Sequence, residues 1–435
     1  MEGHKMPKKA YFIGIGGIGM SALAQYFKDQ GSLVTGSDRE ASPVTELLEK
    51  KGIQVVIGQK AENVPEGTEL IVYSDAVPED NPERARAREL NIPQFSYFAM
   101  LGQISLNQIS TENIMTIAVA GTHGKTTTTG MLAKILHDAK LSPTAIIGSI
   151  VKDFGSNYLH GDSNMLIVEA CEYKDHLLEL SPIILVITNL EWDHTDYFPS
   201  LAALQQTFQK AIERVPESGA IVTDPSDKNI ASLLTNSKAK VVDYTKEPAY
   251  TLNLPGEFNQ NNARAAAAAA RRALPTILDS QIADSLADFQ GTWRRFEYKG
   301  KTANGADVYD DYAHHPTAVR ETLKALRQKT KNKIIVAFHP HLYSRTRDLL
   351  DEFAVAFSDA DRVLMAPIYA AREVDDGSIS SEILAERIRA TGVDASALDF
   401  DAIEKTLGEA GGGDTIMTMG AGDIYKLADA LVSHK

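Results

Sequence analysis

The stretch MTIAVAGTHGKTT, residues Met115–Thr127, joins an apolar run to a glycine turn and then to a lysine with two threonines. The apolar run Met115–Ala120 predicts a buried strand, and the residues from Thr126 to about Ala139 predict a helix. Free backbone N–H groups at the start of a helix bind phosphate oxygens, because that end of the helix carries a partial positive charge. The stretch therefore predicts an α/β fold with a phosphate loop between strand and helix.

This loop is a shortened form of the nucleotide phosphate loop, because fewer residues than usual separate Gly121 from Gly124. Its backbone N–H groups would surround the β- and γ-phosphates of ATP, Lys125 would neutralise developing charge, and the Thr126 hydroxyl would ligate Mg²⁺. A glycine turn with a solvated lysine is the alternative, which Gly-Lys-Thr at a strand-to-helix junction disfavours. The candidate ATP-binding residues of the loop are Gly121, Thr122, His123, Gly124, Lys125, Thr126 and Thr127.

A second glycine loop lies between a predicted strand at Ala10–Ile13 and a predicted helix at Met20–Gln30. Its G-x-G-x-x-G glycines are Gly14, Gly16 and Gly19. Asp38 follows about 20 residues later, so the pattern fits NAD, another diphosphate such as that of a UDP-sugar, or a purely structural turn. A dehydrogenase has no need for the Gly121–Thr127 loop. The two loops together therefore indicate one nucleotide-linked substrate and one ATP.

Strand and helix patterns alternate along the whole chain, which predicts parallel α/β sheets. They divide into three domains, at residues 1–112, 113–290 and 291–435, with natural hinges at the polar stretch Asn107–Asn113 and near Gly291. The further predicted strands are Ser32–Thr35, Gln54–Ile57, Leu70–Tyr73, Leu166–Glu169, Ile183–Thr188, Val308–Tyr312, Lys333–Phe338, Arg362–Ala366 and Thr415–Met419, and the further predicted helices are Asn262–Leu274, Pro316–Lys329 and Arg347–Phe357.

Two residues after predicted strands of the middle segment are candidate metal ligands. Glu169 ends one strand and His194 follows the next, and ligands of open α/β sheets bind at the carboxyl ends of strands. Glu169 could bridge two ions, with His194 on a second Mg²⁺ or Mn²⁺ and Asp193 orienting it. The alternative is that the nearby acids Glu172, Glu191 and Asp193 only solvate a loop.

Further polar residues lie near the boundary of the second and third segments. Asn259 and Asn262 begin the alanine-rich helix, where one could contact the adenine of ATP or simply cap the helix. Arg294 or Arg295 could reach a transferring phosphate, or form a salt bridge. Two histidine-containing stretches follow strands in the third segment, DDYAHHP (Asp310–Pro316) and HPHLYSRT (His339–Thr346). Their composition disfavours zinc, and Arg345 suits a carboxylate-bearing acceptor.

Composition excludes several other classes. Acidic residues number 58 and basic residues 44, so the formal net charge of −14 disfavours a broad basic face for nucleic acid. One cysteine excludes an intrachain disulfide and any cysteine-only zinc site. No apolar run reaches the roughly 18 residues that span a bilayer, and no secretory signal pattern is present. We expect a cytoplasmic protein without nucleic-acid or membrane partners.

Eight stretches taken together resemble the Mur ligase family, the ATP-dependent amide-forming ligases of peptidoglycan synthesis. They are FIGIGGIGMSALA (Phe12–Ala24), GTHGKTTT (Gly121–Thr128), EACEY (Glu169–Tyr173), TNLEWDH (Thr188–His194), NQNN (Asn259–Asn262), RRFE (Arg294–Glu297), DDYAHHP (Asp310–Pro316) and HPHLYSRT (His339–Thr346). The resemblance covers nearly the whole chain, and the ordered set is far more specific than any single member.

The resemblance implies a three-domain α/β ligase: a Rossmann-like N-terminal domain for UDP, a central P-loop-type ATPase domain, and a Rossmann-like C-terminal domain for the amino acid. The family member most similar in these stretches joins L-alanine to the carboxylate of UDP-N-acetylmuramate through an acyl phosphate. The implied ligands are UDP-N-acetylmuramate, ATP, L-alanine and Mg²⁺ or Mn²⁺, in a monomer or homodimer. The alternatives are the recycling ligase, which attaches a preformed murein peptide to the same nucleotide, an NAD-dependent dehydrogenase, and a non-catalytic UDP-sugar-binding protein.

The resemblance also assigns roles to individual positions. The implied catalytic residues are Lys125, Glu169, His194 and Arg295, and the implied metal ligands are Thr126, Glu169 and His194. ATP would also contact Asn262, Arg295, Asp310 and Asp311. The UDP-sugar would contact Gly14, Gly16, Gly17, Gly19, Ser21, Asp38 and Ser74. The amino acid and muramate end would contact Tyr312, His314, His341 and Arg345.

Some positions depart from the family pattern. Tyr11 stands where a histidine is usual, and Leu342 stands where arginine is often found. Phe258 replaces the histidine of a G-x-H-N motif, and the stretch Asp243–Leu254 is short. None of these changes removes a residue that the chemistry requires.

Overall fold

A computed structural model describes residues 6–106 and 114–433 of the chain. Its strands form three sheets of five, seven and six strands, with helices between many of the successive strands. The expected α/β class with Rossmann-like parallel sheets is confirmed. The predicted linker at 107–113 lies outside the described residues.

The first sheet is entirely parallel, in the order β3-β2-β1-β4-β5. Its strands are β1 Lys9–Ile13, β2 Leu33–Asp38, β3 Gln54–Ile57, β4 Leu70–Tyr73 and β5 Gln94–Ser96. Its helices are α1 Ile18–Asp29, α2 Pro43–Lys50, α3 Pro82–Glu89 and α4 Tyr97–Ser105. The central strand β1 is an apolar run whose residues 10–13 are almost wholly buried, because parallel sheets carry helices on both faces.

The second sheet has the order β12-β11-β10-β6-β9-β7-β8, and only the β7–β8 pair is antiparallel. Its strands are β6 Met115–Ala120, β7 Thr144–Val151, β8 Ser156–Leu159, β9 Met165–Glu169, β10 Ile184–Ile187, β11 Ala220–Thr223 and β12 Lys240–Asp243. Its helices are α5 Lys125–Asp138, α6 Leu201–Arg214, α7 Glu257–Ala273 and α8 Asp279–Asp288. Helix α7 starts at Glu257, so Asn259 and Asn262 lie within the helix instead of beginning it.

The third sheet has the order β13-β14-β18-β15-β16-β17, with β13 antiparallel to β14 and the other pairs parallel. Its strands are β13 Glu297–Lys301, β14 Asp307–Asp311, β15 Lys333–Phe338, β16 Arg362–Met365, β17 Asp394–Ala397 and β18 Asp414–Met419. Its helices are α9 Pro316–Lys329, α10 Tyr343–Asp348, α11 Leu350–Ala356, α12 Ser381–Arg389, α13 Phe400–Gly408 and α14 Tyr425–Ser433.

One helix expectation is wrong. The single helix predicted over Arg347–Phe357 is two helices, α10 and α11, because the backbone at Leu349 turns to a φ of −116° and a ψ of 27°. The sequence has no glycine or proline there. Leu349 is buried in the apolar core of this sheet, so tertiary packing decides the break.

The chain forms two compact units. The first takes its described residues from Met1–Leu190, Leu204–Thr251 and Asn261–Gln290, and contains the first two sheets. The second takes them from Glu191–Ala203, Leu252–Gln260 and Gly291–Lys435, and contains the third sheet. The three domain boundaries read from the sequence remain a prediction.

Among the described helices, none has the length and apolarity needed to cross a bilayer.

Within the first unit, buried polar side chains join α1 to the β7–β8 hairpin. The Asn157 side-chain amide donates to the Ser21 hydroxyl at 2.8 Å and to the Ile18 carbonyl at 2.5 Å. Gln25 donates to the Asn157 side-chain oxygen at 3.1 Å, and Ser156 donates to Gln25 at 3.0 Å. These contacts hold the first glycine loop and the second sheet in one packed body.

Candidate active site

The phosphate loop, residues Gly121–Thr127, leaves β6 and runs directly into α5. Gly121 and Gly124 have φ angles of +125° and +82°, which residues with a side chain rarely adopt. A Cβ at Gly121 would collide with the Thr188 hydroxyl, and one at Gly124 with the side-chain oxygen of Asn262. Both glycines are therefore required. Asn262 lies beside the loop, and its contact with ATP remains a prediction.

Residues after β10 hold this loop in shape. The backbone N–H of His123 donates to the Asn189 side-chain oxygen at 2.9 Å. The Asn189 amide and the Thr188 hydroxyl donate to the His123 carbonyl at 3.0 and 2.5 Å. Asn189 is a residue of this site that the sequence motifs did not predict. Its place directly after a buried strand was the available signal.

Lys125 lies along the phosphate loop and is paired with a buried carboxylate. Its Nζ contacts the Gly121 carbonyl at 2.5 Å and both carboxylate oxygens of Glu172 at 3.1 Å. Burial lowers the pKa of Lys125, but Glu172, Cys171 and Glu169 together raise it by more, so the pKa lies above its ordinary value. Lys125 is therefore protonated at neutral pH. Glu172 is 1% exposed, so the interpretation that it only solvates a loop is wrong.

Two predicted metal ligands meet beside Lys125. The Thr126 hydroxyl donates to Glu169 Oε1 at 2.9 Å, and the Gly148 N–H donates to Glu169 Oε2 at 2.8 Å. A hydroxyl and a carboxylate oxygen in contact are the hard oxygen ligands that Mg²⁺ prefers, so the residues present fit this ion. His194 belongs to the second unit, and its share in the metal site stays a prediction.

The first glycine loop is fixed by Asp38. The Gly16 N–H donates to Asp38 Oδ2 at 2.8 Å and the Arg39 N–H donates to Oδ1 at 2.7 Å. Gly14 has a φ of +77° and packs against Ser74, while Gly17 caps the start of α1. The loop therefore presents its glycine backbone at the carboxyl edge of the first sheet, as a diphosphate site requires.

Two side chains near this loop, those of Ser21 and Tyr11, form hydrogen bonds to other groups of the protein. Ser21 is fully buried, and its hydroxyl donates to the Ile18 carbonyl at 2.9 Å besides accepting from Asn157. Its predicted contact with a UDP-sugar would need a hydroxyl that already has two protein partners. Tyr11, which departs from the family pattern, is also buried and donates to Glu83 at 2.9 Å.

In the second unit, the structure distinguishes the two arginines after Gly291. Arg294 is 4% exposed, and its guanidinium donates to Asp310 at 2.8 Å and to the Gly420 carbonyl at 2.6 Å. Arg295 is half-buried, with its guanidinium 4.9 Å from the centre of the Tyr312 ring. Arg294 and Asp310 therefore stabilise the unit, and Arg295 is the better candidate for a ligand contact.

Asp311 is the last residue of β14 and contacts the backbone next to Arg295. Its carboxylate accepts the N–H groups of Phe296 and Ala313 at 2.7 Å each. Burial raises the pKa of Asp311 to about 6, although Arg295 opposes that shift. Both carboxylate oxygens thus have backbone partners, and any contact of Asp311 with ATP remains a prediction.

The four residues predicted for the amino-acid end form one continuous cluster in the second unit. The rings of Tyr312 and His314 are 5.2 Å apart, and those of His314 and His341 are 5.9 Å apart. His341 Nδ1 lies 2.9 Å from a guanidinium nitrogen of Arg345. Burial and the charge of Arg345 lower the pKa of His341 to about 3 and that of His314 well below its usual value. Both imidazoles are therefore neutral at pH 7.

Arg345 is buried and binds Asp193 and His341. It is 1% exposed, and its Nε donates to Asp193 Oδ1 at 2.7 Å. Burial raises the pKa of Asp193, but the Arg345 guanidinium and nearby histidines together lower it by a larger amount, so the pKa is well below its usual value. Asp193 Oδ1 also accepts the N–H of His194, whose φ is +52°. Asp193 is thus a buried ion-pair partner rather than a solvating acid.

Models of three Mur ligase domains match this chain. The model of the Mur ligase family, catalytic domain, matches residues 9–108, that of the Mur ligase middle domain matches 119–252, and that of the Mur ligase, glutamate ligase domain, matches 294–422. A UDP-N-acetylmuramate–L-alanine ligase from Acetivibrio thermocellus is 40% identical, over 98% of this chain and 96% of the relative. The chain belongs to the Mur ligase family.

Solved structures agree with this membership. The structure of UDP-N-acetylmuramate-alanine ligase from Thermotoga maritima matches this Mur ligase with a TM-score of 0.80 and 29% identity, over 98% of each chain. A murein peptide ligase from Psychrobacter arcticus matches with a TM-score of 0.73 over 98% of each chain. At 24% identity, the second match shows the shared fold alone.

Arg345→Ala is expected to destabilise the second unit of this Mur ligase by about 3–5 kcal/mol, because it leaves the Asp193 carboxylate buried without its cation. Denaturant unfolding of wild type and variant measures the difference. Arg347→Ala is the control, since Arg347 is an exposed arginine whose pair with Asp348 contributes at most about 1 kcal/mol. Equal stability of the two variants would contradict a structural role for Arg345.

Proposed function

We propose that this chain joins L-alanine to the carboxylate of UDP-N-acetylmuramate at the expense of ATP, in peptidoglycan precursor synthesis in the cytoplasm. The observation that carries the choice of substrates is the match of 98% of the chain, at 40% identity, to a UDP-N-acetylmuramate–L-alanine ligase. The geometry supports the chemistry, since Lys125, Thr126 and Glu169 converge at a phosphate loop.

The reaction has two steps that both place negative charge on oxygen. A muramate carboxylate oxygen attacks the γ-phosphorus of ATP, so that an acyl phosphate forms and ADP leaves. The amine of L-alanine then attacks the acyl carbon, loses a proton, and displaces phosphate through a tetrahedral intermediate. Preorganised cations and backbone N–H groups stabilise such charge without having to reorganise during the reaction.

Residues of the first unit would do most of this work, and His194 and Arg295 of the second unit are predicted to add to it. The N–H groups of the phosphate loop would bind the β- and γ-phosphates, and Lys125 would stabilise charge on the transferring phosphoryl group. Thr126 and Glu169 would hold Mg²⁺, with His194 as a further ligand. The ion, when bound, neutralises phosphate charge. Asn262 and Arg295 would contact ATP, and Gly14, Gly16 and Asp38 would form the diphosphate site.

The cluster of the second unit would serve the acceptor amino acid. Tyr312, His314 and His341 are half-buried, and both histidines are neutral because burial and Arg345 lower their pKa values. A neutral imidazole can accept a hydrogen bond from the amino group of L-alanine without repelling it. Arg345 would act here by holding His341.

The experiment that tests this function is phosphate release from ATP with Mg²⁺ and UDP-N-acetylmuramate, run with and without L-alanine. We expect release that requires L-alanine and a product heavier by one alanine residue. Turnover only with the L-Ala-γ-D-Glu-diamino acid tripeptide would instead assign the chain to the recycling ligases. No phosphate release with either acceptor would contradict the proposal. NAD binding at the first glycine loop would then be the function to test.

A further inference from the structure

Tyr97 lies at the ligand edge of the first sheet. It directly follows β5 and is the first residue of α4. Gly14 follows β1 and Ser74 follows β4 at the same carboxyl edge. In open parallel sheets, ligands bind outside the carboxyl ends of the strands, near the point where the strand order reverses. Here that point lies between β1 and β4, and β5 is the next strand along.

The Tyr97 ring packs directly against the first glycine loop. A Cβ built on Gly19 would lie 2.5 Å from Tyr97 Cζ and 2.8 Å from its hydroxyl oxygen. Only glycine therefore allows this approach, and the phenol end of Tyr97 is the part that meets the loop. The Phe98 ring lies edge-on to Tyr97 at 4.7 Å and stacks on His176 at 3.8 Å, so neighbouring rings fix its orientation.

The same phenol lies within the electrostatic reach of the phosphate-loop site. Burial raises the pKa of Tyr97, and the carboxylate of Glu169 raises it further, so the hydroxyl keeps its proton. Glu169 is the carboxylate that contacts Thr126. Tyr97 is only half-buried, so its protonated hydroxyl beside Gly19 can donate to a ligand at the loop assigned to the diphosphate.

We propose that the Tyr97 hydroxyl donates a hydrogen bond to the carboxylate carried by the sugar of the UDP-linked substrate. The inference rests on the proposed function, because that reaction requires the sugar carboxylate to reach from the diphosphate loop to the γ-phosphate of ATP. Tyr97 packs against the glycine loop of the first of these sites. It is therefore a substrate-binding residue that selects nucleotide sugars bearing a carboxylate.

Tyr97→Phe tests the inference, since it keeps the ring against Gly19 and removes only the donor. Calorimetric titrations with UDP-N-acetylmuramate, with UDP-N-acetylglucosamine, which lacks the carboxylate, and with UDP separate the contacts. A lost hydrogen bond to a charged group predicts an affinity for UDP-N-acetylmuramate lower by about 10- to 100-fold. Affinities for the other two ligands should stay within about twofold. The KM for UDP-N-acetylmuramate should rise, while that for ATP should not.

Tyr298→Phe is the matched control, because it removes a tyrosine hydroxyl that donates to Asp307 at 3.0 Å in the second unit. It should leave all three affinities unchanged. An equal loss for all three ligands in Tyr97→Phe would show that the residue only shapes the loop, and no loss for any of them would also overturn the inference. The proposed function fails separately, if the wild-type protein neither binds UDP-N-acetylmuramate nor releases phosphate.

Discussion

Lys125→Ala is expected to reduce ligation by at least about a thousandfold, because the transferring phosphoryl group loses the main protein cation that stabilises its charge. The pKa of Lys125 lies above its ordinary value, so the full positive charge is present at any pH at which the enzyme is assayed. The measurement is alanine-dependent phosphate release under saturating substrates.

This variant needs a control for folding, because it also removes the cation that pairs with the buried Glu172 carboxylate. Breaking a buried pair in this way costs about 3–5 kcal/mol of stability. The double variant Lys125→Ala, Glu172→Gln also removes the buried negative charge of Glu172, and we expect it to regain stability without regaining activity. Lys210→Ala, at an exposed position of α6, should behave as wild type. A folded double variant that ligates at the wild-type rate would refute the role of Lys125.

Glu169→Gln is expected to lower ligation by more than about a hundredfold and to weaken divalent-cation binding. Both carboxylate oxygens accept hydrogen bonds, from Thr126 and from the Gly148 N–H. A glutamine has one acceptor oxygen, so its NH₂ group must face one of these two donors. The variant thus loses the negative charge and also disturbs the contact with Thr126.

Titration with Mn²⁺ followed by electron paramagnetic resonance measures the cation affinity without relying on ligation. Glu179→Gln is a suitable control, because Glu179 is an exposed acid ten residues after Glu169, in the connection between β9 and β10. The metal assignment would have to be abandoned if Glu169→Gln bound Mn²⁺ as tightly as the control does.

The two largest expected effects arise from residues that three adjacent strands bring together. The second sheet orders β10, β6 and β9 side by side, so the ends of these strands lie at one edge. The phosphate loop follows β6, Glu169 ends β9, and Asn189 follows β10. Because the sheet core is close-packed and buried, these groups are held in place before any ligand binds.

Much of the fold could be predicted because its signals are local. The apolar runs that became β6 and β15 have the predicted ends, and helix α9 also has the predicted ends. Gly121 and Gly124 could be recognised because a tight loop before a helix requires positive φ angles. The helix break at Leu349 and the β7–β8 hairpin were missed. No glycine or proline marks the first, and no regular alternation of apolar and polar residues marks the second.

The sequence by itself determined the α/β class, the two glycine loops and the candidates Lys125, Thr126 and Glu169, since each depends on a short window of residue types. Only the tertiary structure decided which groups meet. Glu172 pairs with Lys125 across 47 residues, and Asn189 holds the loop across 66. The tertiary structure also decided that Arg294 pairs with Asp310 while Arg295 lies over the Tyr312 ring, and that Tyr97 packs beside Gly19. Such contacts follow from strand order and packing, which local patterns do not encode.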